Sequence, residues 1–117
     1  MSRIYAEYLS DICGALEKCL QFTADMDFAG FAGDEKTMYA VVRALEVAGE
    51  AVKQVPSKVR EQYPAVPWRE MAGMRDILIH QYFGVKPEVL WKTITVDIPE
   101  ILPVFRQILA EHQLDND

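Results

Sequence analysis

Residues 74–85 read MRDILIHQYFGV, and this run of Ile, Leu, Met and Phe also holds Arg75, Asp76, His80 and Tyr82. His80 is one of only two histidines in the chain, so its place in an apolar stretch asks for a reason. Charge buried among apolar side chains is costly unless a partner compensates it. On a helix each residue is turned by about 100° from the last. Asp76 and His80, four apart, therefore share a face, and Arg75 and Tyr82, seven apart, share a neighbouring one. Arg75 and His80 diverge by roughly 140°. Two arrangements stay open: the long arginine side chain wraps around the helix, or a second copy of the chain across a two-fold axis completes the set.

The chemistry such groups suit is phosphodiester cleavage. Cutting RNA without a metal needs a base for the ribose 2′-hydroxyl proton, a cation for the charge building on phosphate, and an acid for the departing 5′-oxygen. One histidine cannot easily fill both proton roles at once. Two copies of His80 facing each other can, with Arg75 of each chain clamping the phosphate. Asp76, one turn before His80, is placed to fix the imidazole's orientation and raise its pKa. The competing reading is structural, with His80 a hydrogen-bonded core residue and Tyr82 a rim aromatic whose hydroxyl meets water. His112 falls in the last turn of the final helix, where a cation complements the helix dipole, and is given no role.

Supporting residues lie upstream. Tyr39, Arg43, Glu46 and Glu50 recur at four, three and four, a stripe whose ordinary reading is a solvated, salt-bridged helix face. Gly49 and Gly73 stand inside helical patterns, each costing about 1 kcal/mol relative to alanine. If the small patches Ala48-Gly49 and Ala72-Gly73 let two helices approach closely, Glu46 and Glu50 come near Arg75; otherwise each glycine relieves crowding separately. Arg43, Glu46 and Glu50 are thus candidates to support a cleft. No Gly-rich phosphate loop, Ser/His/Asp set or metal-ligand cluster competes, so neither a metal nor a cofactor is expected.

These residues must be positioned by helices. Ile4, Tyr5, Tyr8, Leu9, Ile12, Leu16, Cys19 and Leu20 recur at three and four, predicting an amphipathic helix over 2–22. The connector TADMDFAGFAGD ends at Asp34, an N-cap for a second long helix that runs to about Val55, where Pro56 stops it. A short helical piece follows at SKVREQY. Pro67 then opens the helix that carries the quoted segment to Phe83, with Gly84 as its cap. Pro87 starts the next helix, through PEVLWKTITV. The last spans about Ile98 to His112, with Pro103 expected to bend it. No alternating strand pattern occurs, and the expectation is a single domain, 1–117, folded as an all-α antiparallel bundle of about five helices.

Composition sets further bounds. A chain of 117 residues, 50% apolar, buries a core without disulfides or metal. Cys13 and Cys19, six apart on one helix, point in different directions and suit neither a disulfide nor a zinc site. A net charge of -6 argues against non-specific coating of nucleic acid. It leaves room for a local basic cleft, because Lys58, Arg60, Arg69, Arg75, Lys86 and Lys92 cluster in and just around the third quarter. With no signal-peptide pattern and only short apolar runs, the expected address is cytoplasmic and off the membrane.

Arg75, four residues, His80, one residue and Tyr82 together resemble the Arg-x4-His-x-Tyr motif of HepT-like toxins, a branch of the HEPN superfamily of small helical ribonucleases. DEKTMYAVVRALEVAGEAVKQV, YPAVPWREMAGMRDILIHQYFGV and VLWKTITVDIPEI extend the resemblance over nearly the whole chain. It implies a HEPN-like helical bundle, a homodimer with the motif at the subunit cleft, and metal-independent RNA cleavage leaving a 2′,3′-cyclic phosphate. It also implies a cognate MntA-like nucleotidyltransferase antitoxin that transfers AMP to Tyr82. Arg75 and His80 carry over as catalytic, and Asp76 fits the polar position after the arginine. The alternative is a non-catalytic, nucleotide-binding partner subunit of such a nucleotidyltransferase.

Overall fold

Two long helices face each other along their apolar stripes and form the floor on which the motif helix rests. The computed structural model describes residues 2–80 and 85–114; Tyr82, Phe83 and Gly84 lie outside them. Helix α1 (Ser2–Phe22) buries Leu9, Ile12, Leu16 and Cys19, and α3 (Glu35–Gln54) buries Val41, Leu45, Ala48 and Val52. Asp34 caps α3 as expected, its carboxylate accepting the Thr37 N–H at 3.0 Å. Each fully buried Leu or Ile stabilises by about 1.5–3 kcal/mol, so this stripe pairing dominates the energetics.

The connector between the two holds a helix that the sequence pattern leaves out, α2 (Phe28–Ala32). Asp27 accepts the Gly30 N–H at 2.8 Å to start it. Phe31 is fully buried, with its ring 5.2 Å from that of Trp91. A single turn of this kind is stabilised by that long-range contact rather than by periodicity.

After α3 the chain turns at Pro56 into α4 (Ser57–Gln62), and Arg60 reaches back. Its Nε donates to the Val55 carbonyl at 2.8 Å, and Nη2 donates to those of Val52 at 2.9 Å and Lys53 at 3.1 Å. These carbonyls cluster at the C-terminus of α3, where that of Val52 also accepts the Val55 N–H at 3.1 Å and a cation complements the dipole. Arg60 therefore closes a helix and is not part of a basic cleft.

Helix α5 (Trp68–His80) begins with Trp68 edge-on to Phe105, ring centroids 5.5 Å apart, and its indole N–H donating to the Tyr63 carbonyl at 3.0 Å. It crosses α3 at Gly49. A Cβ built there would stand 2.3 Å from Arg75 Cβ and 3.1 Å from the Met71 carbonyl oxygen, so only a hydrogen fits. The close approach expected of the glycines is real at Gly49. At Gly73 an added Cβ meets nothing within 4 Å, so that residue takes no part in it.

Helix α6 (Pro87–Lys92) runs through a π-helical turn, Thr93–Asp97, into α7 (Ile98–Leu114). The Ile98 N–H donates to the Thr93 carbonyl, five residues back. The cause is Pro99, which has no N–H for the Thr95 carbonyl and whose ring crowds it, so the turn before it widens. Pro103 lies inside α7 on its exposed side, while Leu102, Phe105 and Ile108 are buried. α7 packs along α1 and completes the all-α bundle, seven α-helices with no strand among the described residues. No helix there is long and apolar enough to cross a membrane. Cys13 and Cys19 are buried free thiols, and burial pushes Cys19 up to about 12.

Urea denaturation checks two consequences. Gly49→Ala forces α5 away from α3 and costs about 1–3 kcal/mol of overpacking, whereas Gly73→Ala is neutral or gains up to about 1 kcal/mol. Arg60→Met strands the α3 carbonyls and lowers stability by about 2 kcal/mol, as for lost charge-assisted hydrogen bonds.

Candidate active site

Where α5 crosses α3, the Arg75 stem passes over Gly49 and delivers its guanidinium to two carboxylates. Nη2 stands 3.0 Å from Glu50 Oε2, and Nη1 donates to Asp76 Oδ1 at 3.0 Å. The side chain is only 24% exposed, and Nε is buried without a hydrogen-bond partner among the described residues. A second cation joins from the last turn of α3: Lys53 Nζ donates to the same Asp76 Oδ1 at 2.8 Å. The hydrogen bond from Lys53, and after it that from Arg75, holds the Asp76 carboxyl below the usual aspartate value. Asp76 is therefore an anion throughout the neutral range.

Two positive and two negative side chains thus alternate across the α3–α5 crossing: Glu50, Arg75, Asp76 and Lys53. Beside them opens a groove of about 290 Å³ walled by α1, α3 and α5, with Tyr8, Asp11, Arg43, Glu46, Glu50 and Arg75 on its walls. Arg43 pairs with Glu46 at 3.6 Å, its own side chain largely in solvent. The expected support residues Arg43, Glu46 and Glu50 do line one groove, and of these Glu50 reaches Arg75.

His80 ends the described part of α5, exposed to solvent, and makes no hydrogen bond to a described residue. The groove that Arg75 lines does not include it among its described walls. Among the described residues no hydrogen bond or shared groove joins the imidazole to the guanidinium, in keeping with the roughly 140° that five helical residues put between them. The hydrogen bonds of the Asp76 carboxylate come from Lys53 and Arg75, and none joins that carboxylate to the imidazole of His80. Ile77 and Ile79, on either side of the buried Leu78, are 51% and 38% exposed. Tyr82 lies outside the described residues.

Lys53 is the member that sequence reasoning missed. Its signal was present, because it continues the stripe Tyr39, Arg43, Glu46, Glu50 by a further step of three. Chemically, the cluster holds a guanidinium between two carboxylates, and the same helix carries an exposed imidazole at His80. Among the described residues no group of three or more His, Cys, Asp or Glu is placed to hold a metal ion.

Comparison with known proteins gives the relationship. Residues 12–108 match the family model described as Ribonuclease HepT-like. A protein of Thermococcus cleftensis named "Probable ribonuclease HepT" is 48% identical over 92% of this chain and 98% of its own length. One of Methanocaldococcus jannaschii, named a "Putative RNase", is 47% identical over 89% of this chain and 90% of its own. Another so named, from Caldanaerobacter subterraneus, is 42% identical over 91% of this chain and 95% of its own. No solved structure matches. With this extent of likeness added to an all-α fold and an Arg-Asp-His helix, the chain belongs to the HepT-like ribonuclease family, a family of endoribonucleases.

Proposed function

We propose that this protein is a toxin of a type VII toxin-antitoxin pair that cleaves RNA in the cytoplasm without a metal ion. The observation that carries the reading is the pinned guanidinium of Arg75 on the helix that also carries an exposed His80, in a chain of this family. In the reaction, one His80 takes the proton from a ribose 2′-hydroxyl, and the 2′-oxygen attacks phosphorus. Arg75 stabilises the charge on the phosphorane. A second His80 gives a proton to the departing 5′-oxygen, leaving a 2′,3′-cyclic phosphate.

Because Arg75 and His80 point apart within one chain, the proposal requires a homodimer that brings the two copies of α5 together across a two-fold axis. The exposed Ile77 and Ile79 beside His80 support this, since apolar side chains flanking a polar group are the composition of an interface patch. Asp76 acts on Arg75, to which its hydrogen bond runs.

Neutralisation follows the family pattern: an MntA-like nucleotidyltransferase transfers AMP from ATP to the Tyr82 oxygen, releasing pyrophosphate. Phosphate charge two residues from His80 repels the RNA backbone, and the nucleotide's bulk fills the place it would occupy. The second reading, a non-catalytic subunit of such a nucleotidyltransferase, draws on the separation of Arg75 and His80 within the single chain.

With EDTA present, purified protein is expected to cut total RNA, and His80→Ala and Arg75→Ala each to abolish cutting while circular dichroism and dimer mass stay unchanged. An inert wild type shifts favour to the subunit reading. After incubation with the partner and ATP, mass spectrometry is expected to find added AMP on Tyr82; label on any other residue overturns that assignment.

A further inference from the structure

We infer that Lys53, a residue of α3 outside the motif helix, is a positioning residue for cleavage that works through the Asp76 carboxylate to fix the guanidinium of Arg75. The inference rests on the proposed RNA cleavage and deepens it by naming what aims its cation.

Three observations carry it. First, Lys53 Nζ and Arg75 Nη1 donate to the same oxygen, Asp76 Oδ1, at 2.8 and 3.0 Å. That atom is a joint between the two helices, and removing Lys53 leaves Asp76 tied only to its sequence neighbour. Second, the charges balance only with Lys53 present. Arg75 touches two carboxylates, Glu50 and Asp76; alone it would sit in a net negative setting hostile to a phosphate, and Lys53 brings the set of four to neutrality. Third, Lys53 is itself held. Its carbonyl accepts from Arg60 Nη2 at 3.1 Å, and the neighbouring carbonyls of Val52 and Val55 accept from the same guanidinium. The end of α3 is thereby locked, and the lysine starts from a fixed base.

A group that aims a cation at a developing charge affects the transition state more than the bound substrate. A misplacement on the order of 1 Å costs about a hundred-fold in rate. The test compares Lys53→Met, which keeps the aliphatic stem, with Lys53→Arg, which keeps the charge and donors. Lys53→Met is expected to lower kcat on a short RNA by about ten- to a hundred-fold with KM changed less than about three-fold. Lys53→Arg is expected to restore most of the rate. A raised KM with kcat intact would instead make Lys53 a direct phosphate contact and overturn the positioning role. So would an unaffected kcat, or a Lys53→Arg protein as slow as Lys53→Met.

A second measurement does not depend on activity. Carbon-detected NMR titration of the Asp76 carboxyl is expected to show its pKa rising toward the ordinary aspartate value in Lys53→Met, with the Arg75 side-chain signals shifting. If both stay as in wild type, the bridge does no work and the inference fails. An inert wild type with His80 and Arg75 intact would refute the proposed cleavage instead, and the NMR comparison would still decide the bridge.

Discussion

A single hydrogen at position 49, in place of a methyl group, sets how near α5 comes to α3, and the candidate site is built on that separation. With the helices this close, the first carbons of Arg75 lie over the α3 backbone, and the guanidinium can extend only toward the rim, where Glu50 waits. A bulkier residue would lift the helix and with it every distance in the charged cluster. The charges themselves are not what holds the helices together. Glu50 is half exposed and Lys53 and Asp76 more than a third exposed, and pairs so close to water contribute about 0–1 kcal/mol each. The apolar seams between α1, α3 and α7 supply far more. The ion pairs serve to orient, and packing supplies the stability that lets them.

Helix α5 is unusual in how little of it is buried. Trp68 and Leu78 are its buried side chains among the described residues, one near each end. Between them Met71 and Met74 face a cavity of about 450 Å³ whose far side is α7, with Ile101 and Val104. Ile77 meets solvent, and Ile79, about 200° around the helix from it, lies on the groove that Arg75 lines. The motif helix is therefore anchored by Trp68 at its start and by its crossing with α3. The proposed completion by a second copy asks for no rearrangement of α5, whereas turning the helix about its axis would break the Gly49 contact.

The long elements were legible because their cause is local and repetitive. Periodic apolar residues and the Asp34 cap define α1 and α3 to within a residue or so, and the divergence of Arg75 and His80 follows from helical arithmetic. What was not legible has causes far away in the chain. Helix α2 depends on Phe31 meeting Trp91, sixty residues on. Ala48-Gly49 and Ala72-Gly73 look alike as text, yet only the first lies at a crossing. Arg60 reads as one more cation of a basic quarter until the open carbonyls at the end of α3 show what it serves. The π-helical turn was half legible: Pro99, which causes it, is plain, while a widened turn in place of a break depends on α6 and α7 having to run on together over α2 and α1.

The direction taken by Asp76 shows how a correct periodicity can still leave a partner undetermined. Asp76 and His80 do share a face, four residues apart, and the expectation that the carboxylate orients the imidazole follows from that spacing alone. Two permanent cations also lie within hydrogen-bond reach, one adjacent in sequence and one delivered by α3. Charge-assisted bonds to lysine and arginine are stronger than a bond to an imidazole whose charge depends on pH. Tertiary structure supplied the competitor that spacing could not count. The outcome suits the proposed cleavage better than the arrangement it replaces: in that proposal the imidazole moves protons and is left exposed, while the carboxylate's fixed charge holds a cation that never changes its own.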